Sequence, residues 1–210
     1  MTTQPHHFID WMQRHGGLVS TREAQEAGFQ RKALTRLVQQ GTLERLERGV
    51  YRLVDSAGLS PIPADQLDLL EVQLRFPYAR PCLVSALHLH GLTTTVPSRL
   101  QFALPANRRA LTHARMPLEL FYWNAAAYDL GQLDLAVAGR TLTTYTPEKT
   151  LVDLLRLSPR FGRELYLEGL KKWLRRPDRD RRALMEAGRA LRVWRTLSHD
   201  LEVLSHDQDH

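Results

Sequence analysis

Residues 20–41 read STREAQEAGFQRKALTRLVQQG. Ser20 with Glu23 three positions later has the spacing of a capping box, in which each side chain satisfies the other's backbone donor. A helix therefore starts at Ser20 and stops at Gly28. A second begins near Gln30, because Leu34, Leu37 and Val38 recur at the three-and-four spacing of one buried face. Its other face carries Gln30, Arg31, Lys32, Thr35, Arg36 and Gln39. Two short helices joined by a glycine-containing turn predict a helix-turn-helix, whose second helix offers its N-terminal side chains to base edges. Ala24 is small where the two helices must approach, Gly28 can take positive φ at the turn, and Leu34 pins the second helix to the core.

Outward from this stretch, Phe8, Ile9, Trp11 and Met12 fall on neighbouring helical positions ahead of Gly16-Gly17, predicting a preceding helix. A short extended piece, Leu18-Val19, follows it. After Gly41, two β-prone runs, Leu43 to Glu47 and Val50 to Leu53, flank Arg48-Gly49 as a tight hairpin. Three helices and a hairpin make a winged helix. Its wing carries Arg45, Arg48 and Arg52, suited to phosphate contacts that fix register without reading sequence. Glu23 stands where helix-turn-helix motifs often carry an apolar residue. Residues 20–53 hold seven basic and four acidic side chains. That excess favours an anionic partner over the two plainer alternatives, a solvated basic face and a protein-docking module.

The run VDSAGLSPIPAD at 54–65 has two prolines, a glycine and no apolar period, and marks a linker. The division expected is residues 1–55 as the winged helix-turn-helix, 56–65 as linker and 66–210 as a second domain. In the latter, residues 66–76 look helical with Leu67, Leu70 and Leu74 on one face, and a helix follows Pro81 and ends by Gly91. LQFAL (100–104), LELFYW (118–123) and TLTTY (141–145) predict a small, mainly antiparallel sheet, and the rest is helical: an α+β class. At TYTPEKTLVDLLRL, Thr146 can cap a helix with Pro147 in its first turn and Glu148 at its positive end. Leu151, Leu154 and Leu155 then form the buried stripe, and Lys149 can pair with Asp153 on the surface.

The 210-residue chain carries 29 Lys and Arg against 23 acids, a net +6. Residues 156–195 alone hold thirteen basic and five acidic side chains. A wheel through DRRALMEAGRALRVWR puts Leu184, Ala187, Leu191 and Trp194 in one arc and Arg181, Arg182, Arg189, Arg192 and Arg195 opposite. Such a face suits a phosphate backbone, with a solvated surface as the plain alternative.

Cys82 is the single cysteine, which excludes an internal disulfide framework and a cysteine-based zinc site. No apolar run reaches the ~18 residues of a membrane span, and the N-terminus lacks a secretion signal, so a cytoplasmic protein is expected. His88 and His90, two apart on a helix, diverge too far to share a metal. The carboxylates nearest to a nuclease-like set, Glu148, Asp153, Glu164 and Glu168, each have a helical explanation. No Ser-His-Asp set or glycine-rich phosphate loop appears. Neither an enzyme nor a cofactor or metal is expected.

Together, STREAQEAGFQRKALTRLVQQGTLERLERGVYRL, CLVSALHLHGL and TPEKTLVDLLRL, in that order, resemble the AbiEi family of type IV toxin–antitoxin antitoxins, over about residues 16–204. The resemblance implies a winged helix joined to a C-terminal α/β antitoxin domain. It further implies repression of the chain's own operon through inverted repeats in double-stranded DNA, and neutralisation of a nucleotidyltransferase-like toxin without a required stable complex. It carries DNA reading onto Gln30, Arg31, Lys32, Thr35, Arg36 and Gln39, with Arg48 in the wing. The alternatives are a stand-alone winged-helix regulator and a metal-dependent nuclease.

Overall fold

The computed structural model describes residues 5–113 and 116–206. It is a mixed α/β chain that divides into two units. The first runs to Ala79 and includes His113 and Asp134–Leu142; the second comprises the remainder.

The first unit opens with α1 (Pro5–Arg14), β1 (Leu18–Ser20), α2 (Thr21–Glu26), α3 (Arg31–Gln39), β2 (Leu43–Glu47) and β3 (Val50–Leu53). β1 and β2 both pair antiparallel with β3, which is central, and β2 bulges between Arg45 and Glu47. Phe8, Met12, Val19, Ala24, Phe29, Leu34, Leu37, Leu43, Tyr51 and Leu53 form its core. The capping box is present: Ser20 N–H donates to Glu23 and Glu23 N–H to Ser20 Oγ. Gly28 takes φ +87° and turns the chain so that Phe29 N–H reaches the Ala24 carbonyl at 2.8 Å. Phe29 then packs edge-on to Phe8, ring centroids 4.5 Å apart.

The helix expected at 66–76, beyond a linker, is α4 (Ala64–Arg75), which packs on β1 and β3 in this first unit. Leu70 and Leu74 are buried as the periodicity requires, but so are Glu71 and Gln73, which it did not single out.

The remaining elements are β4 (Arg80–Pro81), α5 (Leu83–Leu89), β5 (Leu100–Pro105), β6 (Leu118–Trp123), α6 (Ala125–Asp129), β7 (Gln132–Val137), β8 (Arg140–Tyr145), α7 (Pro147–Arg156), α8 (Ser158–Phe161), α9 (Glu164–Leu174), α10 (Arg181–Ala190) and α11 (Trp194–His206). The three expected runs are all strands, but their pairing corrects the expectation of a mainly antiparallel sheet. β4 pairs antiparallel with β5 over two residues, while β5 and β6 run parallel over six. A parallel pair needs a crossover of about a dozen residues, which matches the sequence separation of Pro105 and Leu118. β7 and β8 form a separate two-stranded sheet among the described residues.

In the second unit α7 packs on α5, α9 and α10. Thr146 caps it by accepting from Lys149 N–H, with Pro147 in the first turn. Lys149 and Asp153 do pair, at 2.5 Å, but each side chain is only 1% exposed, so the expected surface pair is a buried one. The reason is that α7 is covered on both sides: Leu151 and Leu154 enter the core, and the rings of Trp123 and Tyr145 cover Lys149 Nζ at 4.1 and 4.6 Å.

The helix read through Arg195 is also corrected. α10 stops at Ala190, and a second helix starts at Trp194. Arg192 N–H bonds the Arg189 carbonyl and Val193 N–H the Gly188 carbonyl, with Arg192 at φ +62°. This is a Schellman C-cap made without glycine. Trp194 is consequently 43% exposed instead of buried.

Candidate nucleic-acid interface

The turn at Gly28 sets the start of α3, where Gln30 is the N-cap and makes no side-chain capping bond. Leu34 and Leu37 are buried and hold the helix down. Gln30, Arg31, Lys32, Thr35, Arg36 and Gln39 are all exposed, so the structure gathers the six onto one open face. The Thr35 hydroxyl donates back to the Arg31 carbonyl at 3.4 Å. Among the described residues, the side chains of Arg31, Lys32 and Arg36 have no hydrogen-bond or ion-pair partner.

The hairpin treats its arginines differently. Gly49 takes φ +83° in the turn, and its carbonyl accepts from Thr21 N–H at 2.7 Å, which ties the hairpin tip to the start of α2. Arg48 is exposed at the tip and its guanidinium is unpaired among the described residues. Arg45 is exposed, with its Nε donating to the Glu47 carbonyl at 3.4 Å. Arg52 is spent on Glu44 at 2.7 Å.

Between α2, α3 and the hairpin lies a groove of about 420 Å³. Arg31, Arg45 and Arg48 line it, and so do Arg22 and Arg75, two residues the sequence reading did not select. Arg22 falls on the exposed side of α2, and Arg75 in the last turn of α4, where periodicity reveals nothing about what a side chain faces.

Glu23, the residue out of keeping with the motif, has a partner: Arg140 binds its carboxylate within the first unit. Burial pushes the Glu23 carboxyl up, but the Arg140 guanidinium and the bonds from Ser20 outweigh it and hold the group below its usual 4.5. A carboxyl lowered by folding contributes stability that is fully present above its unfolded value and is lost as the pH falls through its folded-state value. Urea midpoints are therefore expected to fall between about pH 6 and pH 3, and by less in Glu23→Gln. Equal losses in both proteins would show that this carboxylate is not a source of the acid sensitivity.

The five C-terminal arginines do not share one helix. Arg181, Arg182 and Arg189 lie on α10, Arg192 in its cap and Arg195 on α11; all are exposed. Arg182 pairs with Glu186 at 2.8 Å, and Arg195 lies over the Trp194 ring at 5.5 Å.

Glu148, Asp153, Glu168 and His90, four of the groups with a conceivable metal or catalytic role, have structural partners. Glu148 accepts from Trp173 Nε1 at 2.8 Å; Glu168 pairs with Lys172 at 2.8 Å and accepts from Thr93. His90 Nε2 is 2.6 Å from the Tyr145 carbonyl, and burial holds its imidazole below the usual value. Among the described residues, no three His, Cys, Asp or Glu side chains are placed to hold a metal ion, and no helix is long and apolar enough to cross a membrane.

Residues 9–54 match a protein family described as transcriptional regulator, AbiEi antitoxin. The likeness read from the sequence is therefore supported over the segment that contains α2, α3 and the hairpin. No curated protein matches the chain. Among solved structures, the chain is similar to the RV2827C protein from Mycobacterium tuberculosis, with a TM-score of 0.51, 21% identity, and coverage of 95% of this chain and 80% of that one. At that identity the similarity concerns the fold.

Proposed function

We propose that the chain is a sequence-specific DNA-binding repressor and the antitoxin of a type IV toxin–antitoxin pair. In this reading residues 1–55, with α4 packed on them, are a winged helix-turn-helix that binds inverted repeats in the promoter of its own operon, and the second unit carries the antitoxin function. Its functional partner is a nucleotidyltransferase-like toxin, with no stable complex required. The observation that carries the reading is the distribution of unpaired charge. Arg31, Lys32 and Arg36 on α3 and Arg48 at the hairpin tip are exposed cations without partners among the described residues, whereas Arg52 and Arg140 are each spent on a carboxylate. Cations left unpaired on one face are available to phosphates and base edges. The family matched by residues 9–54 is described as a regulator and antitoxin, which supports the same reading.

Within it, Gln30, Arg31, Lys32, Thr35, Arg36 and Gln39 approach the major groove, and Arg45 and Arg48 contact the backbone. Arg181, Arg189, Arg192 and Arg195 are secondary backbone contacts, and Arg182, paired with Glu186, contributes less. Footprinting on the region upstream of the chain's own gene tests the proposal. Protection of two inverted half-sites is the expected result, and uniform, sequence-indifferent protection would refute specific repression. A chain that protects the half-sites but has no nucleotidyltransferase-like gene beside it is the stand-alone regulator instead.

A further inference from the structure

The groove in the first unit holds more positive charge than a base-reading helix requires. Its five arginines come from five places: Arg22 on α2, Arg31 on α3, Arg45 on β2, Arg48 in the hairpin turn and Arg75 on α4. Arg22 is matched by Glu26 at 3.5 Å and Arg75 by Glu47, which leaves Arg31, Arg45 and Arg48 as a local excess of positive charge that an anion in the groove relieves. The hydroxyl of Thr35 also lines the groove.

Arg75 is held in place. Its Nη1 lies 3.3 Å from Glu47 Oε1, and the Glu47 side chain is 8% exposed against 25% for Arg75. The same carboxylate accepts from Arg48 N–H at 2.9 Å and lies 3.8 Å from His113 Nε2. Glu47 therefore faces inward, as a buried anchor, and is not among the residues that line the groove. An arginine already fixed by a buried carboxylate loses less rotamer freedom when it also meets a ligand.

We infer that this groove is a phosphate seat in which Arg22 and Arg75 join Arg31, Arg45 and Arg48 around one phosphate group, so that α4, outside residues 9–54, forms part of the ligand surface. Guanidinium forks match phosphate oxygens in pairs. The phosphate is carried either on the backbone of duplex DNA, in which case the seat rests on the regulator reading, or on a free polyphosphate; one experiment separates the two.

The full chain, its Arg22→Gln/Arg75→Gln variant and the single Arg22→Gln variant are compared in two arms. In the first, affinity for the chain's own promoter duplex and for a scrambled duplex is followed against salt. The double variant is expected to bind both duplexes about tenfold more weakly and to lower the log–log salt slope by about one, as follows when one backbone phosphate is no longer neutralised. In the second, inorganic triphosphate is titrated calorimetrically, and the double variant is expected to bind it about tenfold more weakly. Circular dichroism checks folding; if loss of Arg75 unfolds the chain, the exposed Arg22→Gln change is read in its place with the same direction. Loss in the first arm only assigns the seat to the DNA backbone, and loss in the second only assigns it to a free polyphosphate. Loss in neither overturns the seat. A wild-type chain that binds no duplex refutes the regulator reading, and the triphosphate arm then decides the seat by itself.

Discussion

Alanine at Arg31, Lys32 and Arg36 together is expected to remove specific promoter binding, lowering affinity about a hundredfold while the chain stays folded. Folding should survive because all three side chains are exposed and unpaired among the described residues, and alanine is the better helix former. α3 is held to its unit by Leu34 and Leu37, which the change leaves alone. Each base or phosphate interaction removed is worth ~1–3 kcal/mol. Neighbouring residues on one helix face couple, so the three losses do not simply add. Three interactions at the weak end of that range, ~3 kcal/mol before coupling, correspond to roughly a hundredfold at ~1.4 kcal/mol per decade. A gel shift with the promoter duplex and a scrambled duplex measures it. If the variant still shifts its promoter with wild-type affinity, α3 is not the reading helix, and the unpaired charge on its face is only a solvated surface.

What the sequence disclosed and what it withheld divide along the reach of the interactions. Ser20 with Glu23, Gly28 and Thr146 with Pro147 act within four residues of themselves, and the structure has each as the spacing requires. The open face of α3 was legible for the same reason, since one helical period places Leu34 inside and Arg31 outside. Contacts between distant segments left no local trace. Glu23 departs from the motif because its carboxylate serves Arg140, 117 positions away. Arg75 lines the groove only because α4 packs on β1 and β3, and a linker-like run before it pointed to another domain. The single helix expected through Arg181–Arg195 is broken for a different reason. A helical wheel assumes an unbroken helix, and Arg192 adopts φ +62° without the glycine that usually announces such a cap.

The pair that looked like surface decoration, Lys149 with Asp153, is instead where a single change should do most harm to folding. Both side chains are 1% exposed. Burial lowers the Lys149 ammonium and raises the Asp153 carboxyl, with each partner's charge opposing the effect on the other. The two are not equally dependent on the pair. Asp153 has a second cation, Arg156, at 3.2 Å, whereas Lys149 is otherwise left with the faces of Trp123 and Tyr145. Cation–π attraction is worth about 2 kcal/mol when desolvated, less than the several kcal/mol required to bury an unpaired ion. Asp153→Ala is therefore expected to destabilise the chain by ~3–5 kcal/mol, lowering Tm by about 6–20 °C for a chain of this size. Lys149→Met should be milder, because Arg156 remains to meet the carboxylate. Replacing both, Lys149→Met with Asp153→Leu, should recover most of the loss, since apolar groups of similar volume substitute well for a buried ion pair. Calorimetric melting of the three variants separates the causes. A double variant as unstable as Asp153→Ala would mean that the shape of the site, and not the stranded ammonium, sets the loss.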